Sequence, residues 1–259
     1  MNEHSYLESL FGQRGRTAVV TGATSGLGTA VAGALGRVGA HVVVVGRDVE
    51  RGRDVVAKIK AAGGSAELEL VDVCDEAEVV ALAERVRARR SSVDVLVNAA
   101  GIYEQHRAEE LSLADWERIF RVNVTGTFLT CREFGRQMLE QGSGRIVNFG
   151  STDGVIGVPE QVAYCVSKAA VTQLTRSLAV EWARRGVLVN CIAPGEFATA
   201  MTESLRATPG FARYVDEAIP SGRVGEPSEL VSAVLMLVAP STTLIVGHTL
   251  LVDGGRTAI

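Results

Sequence analysis

Lysine is almost missing from this chain: of 26 lysines and arginines, only Lys58, Lys60 and Lys168 are lysines. Arginine has taken its place nearly everywhere, so any position that needs a lysine stands out. Aromatic residues are scarce too, at 5% of 259 residues. The four cysteines, Cys74, Cys131, Cys165 and Cys191, are far apart, with no CxxC and no neighbouring histidine pair. That spacing offers neither a disulfide framework nor a zinc ligand set, and free thiols in a reducing cytoplasm are expected. The longest apolar run, Leu230 to Ala239, is too short to span a bilayer and is broken by Ser232. Met1 to Arg16 shows no basic segment followed by an apolar one, so no secretory signal is read there. A formal charge of −4 with scattered arginines lacks the concentrated basic face that nucleic acid requires. The densest basic stretch, Arg85 to Arg90, reads as the solvated side of a helix. No membrane partner, no nucleic acid and no metal are expected.

What is present is a regular alternation. Short Val-rich runs at Thr17–Val20, His41–Val45, Ala66–Leu70, Val93–Val97, Arg145–Phe149, Val187–Ile192 and Thr249–Val252 read as strands. Several are apolar on both faces, as parallel strands covered on both sides must be. Helical patterns lie between them near Gly28–Val38, Asp48–Ala61, Glu76–Arg90, Leu113–Leu139, Ala163–Arg185 and Glu229–Val238. The expected fold class is α/β, a doubly wound seven-stranded parallel sheet with helices on both faces. No Pro/Gly/Ser-rich linker divides the chain, so residues 1–259 read as one domain. The stretch 195–227 breaks the alternation and is expected to be a substrate lid.

The first strand runs into Thr21-Gly22-Ala23-Thr24-Ser25-Gly26-Leu27-Gly28 and then a helix. Glycines there permit a tight turn and close approach of backbone to a pyrophosphate, whose charge sits on the helix N-terminus. This makes Gly22, Thr24, Ser25, Gly26, Leu27 and Gly28 candidates for dinucleotide binding. The second strand ends at Gly46-Arg47-Asp48. A preference for NAD usually places an acidic residue at that strand end. Here Gly46 holds the place and Arg47 follows, whose planar fork suits a 2′-phosphate. The reading favours NADP(H) over NAD(H). Its alternatives are that Arg47 merely caps a loop, or that Asp48 takes the acidic role. Asp72 and Val73 follow the third strand and would meet the adenine edge. Asn98-Ala99-Ala100-Gly101 follows the fourth, with small residues where the chain would pass beneath a cofactor.

Tyr164 and Lys168 are four apart in a helical pattern and share one helix face. Hydride transfer to a carbonyl needs a proton donor at the developing alkoxide, and a free phenol titrates too high to serve well at neutral pH. A neighbouring ammonium and an oxidised nicotinamide would both lower that pKa. Ser151, at a strand end thirteen residues earlier, could hydrogen-bond the substrate oxygen. Asn123, in the preceding helical pattern, could order a water next to Lys168.

Thr21–Gly28, Asn98–Gly101, Asn123, Ser151, Tyr164, Lys168 and Pro194-Gly195, in that order, resemble the short-chain dehydrogenase/reductases, in their short single-domain Rossmann branch. The resemblance runs from Gly15 to Gly255. It implies an oxidoreductase acting on a CH–OH group, with Tyr164 as general acid/base and Ser151 polarising the carbonyl. It also implies that Lys168 binds the nicotinamide ribose, that Asn123 holds a relay water, and that Pro194, Gly195 and Thr199 contact the nicotinamide end. A homotetramer built on the helices near Leu113–Leu139 and Ala163–Arg185 is implied as well. Two departures stand out: Ala99 replaces the family's usual second asparagine, and Ser25 stands where many NADP-preferring members carry a basic residue.

The segment Ile219 to Pro227 and the ending Val252-Asp253-Gly254-Gly255 are similar to sugar-acid dehydrogenases and, less closely, to 3-oxoacyl-carrier-protein reductases. An acidic carrier protein would want a basic docking surface, and neither the loop Leu139–Gly144 nor the helix through Ser177–Glu181 is basic. Asp153, Glu160, Gln161 and Glu196 are expected near the pocket mouth, either binding substrate hydroxyls or as ordinary solvated loop residues. The small-molecule partner is an alcohol or carbonyl compound: a neutral polyol, a cyclic ketone or a small secondary alcohol each fits. The rivals are a 3-oxoacyl-thioester reductase and a non-catalytic NADP(H)-sensing regulator, which would not need Ser151, Tyr164 and Lys168 together. A hydrolase is poorly supported, because no GxSxG turn is present and no histidine holds an evident triad position.

Overall fold

The computed structural model describes residues 3–259; Met1 and Asn2, the first positions of the expected domain, lie outside the described residues. Seven strands form one sheet: β1 (Thr17–Thr21), β2 (His41–Gly46), β3 (Ser65–Leu70), β4 (Val95–Asn98), β5 (Gly144–Phe149), β6 (Val187–Pro194) and β7 (Thr249–Val252). Their order is β3-β2-β1-β4-β5-β6-β7, and every pairing is parallel. The helices are α1 (Glu3–Phe11), α2 (Gly26–Arg37), α3 (Val49–Ala61), α4 (Glu76–Arg89), α5 (Leu113–Phe120), α6 (Gly126–Gln141), α7 (Val162–Trp182), α8 (Glu203–Arg206), α9 (Phe211–Ala218) and α10 (Pro227–Val238).

Alternation along each strand divides the core in two. Ala18, Val20, Val42 and Val44 join Leu35 of α2, Ile59 of α3 and Val234 of α10 on one face. Val19, Val43 and Leu96 join Leu82 of α4, Phe134 of α6 and Trp182 of α7 on the other. Both faces are therefore covered, which is why these strands carry few polar residues. Side-chain caps set several helix starts: Asp48 accepts from Arg51 N, Asp75 from Glu78 N and Ser112 from Asp115 N.

The strand order reverses beside β1, where β2 lies on one side and β4 on the other. In open sheets of this kind a crevice opens there, at the carboxyl ends of the strands. The glycine turn after β1 and the loop after β4 both sit at that point.

One expectation is corrected. The pattern read as one helix over Leu113–Leu139 is α5, a π-helical turn at Arg121–Thr125, and then α6. The wider turn carries the buried Asn123, whose hydrogen bonds reach other elements, and apolar periodicity does not register such a break. The stretch 195–227, which breaks the alternation in the sequence, has short elements of its own. It holds a 3-10 turn at Ala200–Thr202, then α8 and α9, with Phe211, Val215 and Ile219 forming a small separate cluster. Helix α1 was not expected; it exposes Tyr6 and Leu7 and so lacks a strong amphipathic signal.

Candidate active site

The turn after β1 is built by close approach. Gly22 has φ +64°, and a Cβ there would lie 2.6 Å from Ala100 N and 2.7 Å from the Ala99 carbonyl carbon. A Cβ on Gly28 would strike the Gly22 carbonyl oxygen. A side chain at either place would collide with backbone, of the turn itself or of the loop after β4, so both positions require glycine. Ser25 precedes α2 without capping it through its side chain, leaving the first-turn N–H groups of Gly26, Leu27 and Gly28 at the crevice.

At the end of β2, a Cβ on Gly46 would lie 2.5 Å from Thr24 Cγ2. Thr24 thus occupies the space an acidic side chain would need. Asp48 is committed as the cap of α3, with Oδ1 accepting from Arg51 N at 3.0 Å. Arg47 is exposed and stands 3.7 Å from Asp72 Oδ2. Asp72 Oδ1 accepts from Cys74 N (3.0 Å), and this bond foremost holds its carboxyl below the usual range despite partial burial. Val73 is buried against Gly126.

Asn98 is buried at the end of β4 and joins β1, β5 and α6. Its Nδ2 donates to Asn148 Oδ1 (2.9 Å), and its Oδ1 accepts from Thr130 Oγ1 (2.8 Å). The side chain expected at a cofactor is therefore held inside the protein. Ala99 and Gly101 line the crevice.

One cavity runs from Gly22, Ser25, Gly26, Leu27 and Gly28 to Ser151, Tyr164 and Lys168, with Pro194, Gly195 and Thr199 also in its wall. Thr199 lies over the glycine turn, 3.5 Å from where a Gly26 Cβ would be. Thr24, Arg47, Asp72, Val73, Asn98 and Asn123 are not among its lining residues. Tyr164 and Lys168 share a face of α7, with Nζ 5.7 Å from the phenol ring centroid. Lys168 Nζ donates to the Phe149 carbonyl at 2.8 Å, which anchors it to the end of β5. Asn123 Nδ2 donates to Ser167 Oγ and to the Ile102 carbonyl, both at 3.0 Å, and Oδ1 accepts from Ile102 N at 2.8 Å. Asn123 and Lys168 do not bond directly, but both flank Gly101, within 3.4 Å of where its Cβ would be.

The electrostatics differ from the simple expectation. Burial, and then the Asp153 carboxylate, push the Tyr164 phenol above its ordinary value, while Ser151 draws it down. Burial pulls the Lys168 ammonium down to about 8. Burial thus acts on both members of the pair in the direction of the neutral form, and Lys168 is not among the groups that move the phenol.

Four residues beyond the expected catalytic group complete the wall. Tyr103 meets Tyr164 edge-on, with ring centroids 5.2 Å apart. Asp153, Gln161 and Glu196 line the cavity, whereas Glu160 is exposed and outside it. Arg256, near the chain's end, is buried and bonds both Asp153 and Glu196. Nothing in the sequence singled out Arg256 among so many arginines. Only Asp253 hinted at it: its carboxylate accepts from Gly255 N (3.0 Å) and Thr257 N (2.9 Å), fixing the turn that carries Arg256 inward. Elsewhere Glu104, His106 and Asp115 converge, a grouping that spacing had not suggested. The Arg118 guanidinium bonds both carboxylates of that group.

The model of the short chain dehydrogenase family matches residues 16–210. The chain is 38% identical to D-threitol dehydrogenase of Mycolicibacterium smegmatis over 94% of its length and 93% of the relative's. It is 41% identical to galactitol 2-dehydrogenase (L-tagatose-forming) of Cereibacter sphaeroides, over 96% and 98%. Among solved structures, a gluconate 5-dehydrogenase from Burkholderia cenocepacia J2315 in complex with NADP and tartrate superimposes with TM-score 0.94. That structure is 32% identical and covers 98% of this chain and 99% of its own. The chain belongs to the short chain dehydrogenase family. It is an oxidoreductase of that dehydrogenase/reductase class, acting on a CH–OH group.

Proposed function

We propose that this chain interconverts a secondary alcohol and its ketone at the expense of a nicotinamide dinucleotide, with Tyr164 as general acid/base. The observation that carries this reading is the single cavity joining the glycine turn to Ser151, Tyr164 and Lys168. The bound nicotinamide supplies the hydride site and, when oxidised, a positive charge. The protein's own share is the proton. In the oxidative direction Tyr164 takes the hydroxyl proton as the carbinol carbon gives up its hydride; in reduction it returns that proton to the oxygen. Ser151 Oγ accepts from Asp153 N at 3.1 Å, which orients the hydroxyl toward Tyr164, where it also holds the substrate oxygen. Lys168 is fixed by Phe149 and offers its remaining N–H groups to a ribose hydroxyl. Asn123, bonded to Ser167 and Ile102, holds a water on the path from Lys168.

The dinucleotide is NADP(H) in preference to NAD(H). Thr24 fills the place of the acidic side chain at Gly46, Asp48 is engaged as a cap, and exposed Arg47 is available for a 2′-phosphate. The segment 195–227 acts as the lid over one catalytic domain, since Phe197, Thr199, Met201 and Leu205 all reach the cavity. Assembly into a homotetramer through α6 and α7 fits the exposed Phe128 and Val166 on those helices. Light scattering would then give four times the 27.4 kDa chain mass.

The test follows reduced nicotinamide by absorbance across polyols, sugar acids, cyclic alcohols and β-keto thioesters, with NADP and NAD in parallel. Turnover is expected for one alcohol class. The variant Tyr164→Phe should lose on the order of 10²–10⁴ in kcat, the usual worth of a positioned acid/base. Its NADP affinity should stay. Unchanged turnover in that variant, or tight NADP binding with no turnover of any class, overturns the reading.

A further inference from the structure

Resting on that reading, we infer that the cavity wall formed by Tyr103, Asp153, Gln161 and Glu196 is a subsite for the hydroxyls flanking the reacting carbon of an uncharged polyol. The wall is built, not incidental. Gln161 is 7% exposed, and its Oε1 is buried without a hydrogen-bond partner. Tyr103 Oη, across the same cavity, is likewise buried and unpartnered. Buried polar atoms are rarely left so, because each loses its water without a replacement. A ligand that brings O–H groups answers both: it donates to Gln161 Oε1 and accepts from Tyr103.

The charged part of the wall asks for the same chemistry. Arg256 Nη1 donates to Asp153 Oδ1 at 3.0 Å and to Glu196 Oε1 at 3.3 Å. Tyr214 Oη donates to that same Glu196 oxygen at 3.2 Å, and the guanidinium lies 5.3 Å above the Tyr214 ring. Among the described residues, the bonds made by these two carboxylates all fall on Oδ1 and Oε1. Asp153 Oδ2 and Glu196 Oε2 remain for a ligand, and both are pure acceptors. Two carboxylates against one guanidinium leave this wall a net negative charge. Burial lifts both carboxyls above their ordinary range, and the Asp153 charge adds to the rise at Glu196.

An ionised sugar acid offers the wall more acceptors and a like charge. An acyl thioester offers it no donors. An alditol or a neutral ketose offers donors without charge, and hydroxyl groups can both give and accept. An amino alcohol would also bring donors, with a cation, and serves as the control for charge alone.

The experiment uses the full-length protein with NADP(H) and a matched series: 2-butanol, 2,3-butanediol, a four-carbon alditol, the corresponding aldonate, and 3-amino-2-butanol. We expect kcat/KM to rise at least roughly tenfold from mono-alcohol to vicinal diol and alditol, the size of one good hydrogen bond to a charged group. It should fall by a similar factor from alditol to aldonate. The variant Gln161→Met should compress the diol-to-mono-alcohol ratio, and Glu196→Gln, which keeps an acceptor for Arg256, should relax the discrimination against the aldonate. Calorimetry on the NADP-loaded protein reads binding apart from turnover, with the alditol binding more tightly than the aldonate. Equal kcat/KM for mono-alcohol and diol, tighter binding of the aldonate, or preference for the amino alcohol over the diol would each overturn the subsite. Alditol binding that persists without turnover of any alcohol would support the subsite and refute the hydride-transfer reading instead.

Discussion

Tyr164 stands between opposing influences, and its neighbours decide the pH at which it works. Burial and Asp153 favour the neutral phenol, while Ser151 favours the phenolate. In the proposed alcohol oxidation the phenolate is the base, so activity should rise as pH climbs through its pKa. Removing the Asp153 charge lowers that pKa. The variant Asp153→Asn should therefore move the acid limb of the kcat/KM profile for oxidation toward lower pH; a limb that stays put, or moves alkaline, contradicts the assignment. Outside the cavity, the proposed preference for NADP rests on the exposed Arg47. Substituting Arg47→Ala should raise KM for NADP roughly tenfold or more, the worth of a charge-assisted contact, and leave that for NAD nearly unchanged. Placing an acid at Gly46 would not by itself create an NAD enzyme, because Thr24 already fills the space.

Elements bring these residues together through their ends. Helix α7 presents Tyr164 and Lys168 from one face because they are four apart, and β5 receives Lys168 through the Phe149 carbonyl. The return from α7 into β6 passes Gly186, at φ +85°, where a Cβ would drive into the carbonyl oxygen of Gly142, the residue that ends α6. Neither backbone can yield. The variant Gly186→Ala should cost at least about 2 kcal/mol, since the left-handed conformation alone costs roughly 1–2 for an L-residue. Denaturant unfolding would check this, with a lowered midpoint and unchanged slope as the expected result. The π-turn between α5 and α6 is a different device. It carries Asn123 to Ser167 and Ile102, and a continuous helix of the same composition would have looked identical in hydrophobic pattern.

For the whole molecule, the crevice beside β1 is where ligand binding and stability meet. A dinucleotide held by the native turn and not by the unfolded chain stabilises the protein by mass action. At one hundred times its Kd, NADP should add about 2.7 kcal/mol, raising the melting temperature by roughly 5–10 °C for a chain of this size. An equal concentration of NAD should raise it less, and equal shifts would count against the NADP preference. The sequence by itself determined the alternating strands and helices, the glycine turn and the pairing of Tyr164 with Lys168. Each is local: period-two and period-3.6 patterns, a turn that tolerates only glycine, and a four-residue spacing. What lies across the fold was decided only by tertiary structure. Asp153, Gln161 and Glu196 could be placed near the pocket mouth from sequence, but the pairing of Asp153 and Glu196 with Arg256 could not, and Asn98, read as a cofactor contact, has its side chain bonded to Asn148 and Thr130. The physical reason is that desolvation and charge pairing depend on distance through space, and residues 103 positions apart, such as Asp153 and Arg256, carry no shared periodicity to announce it.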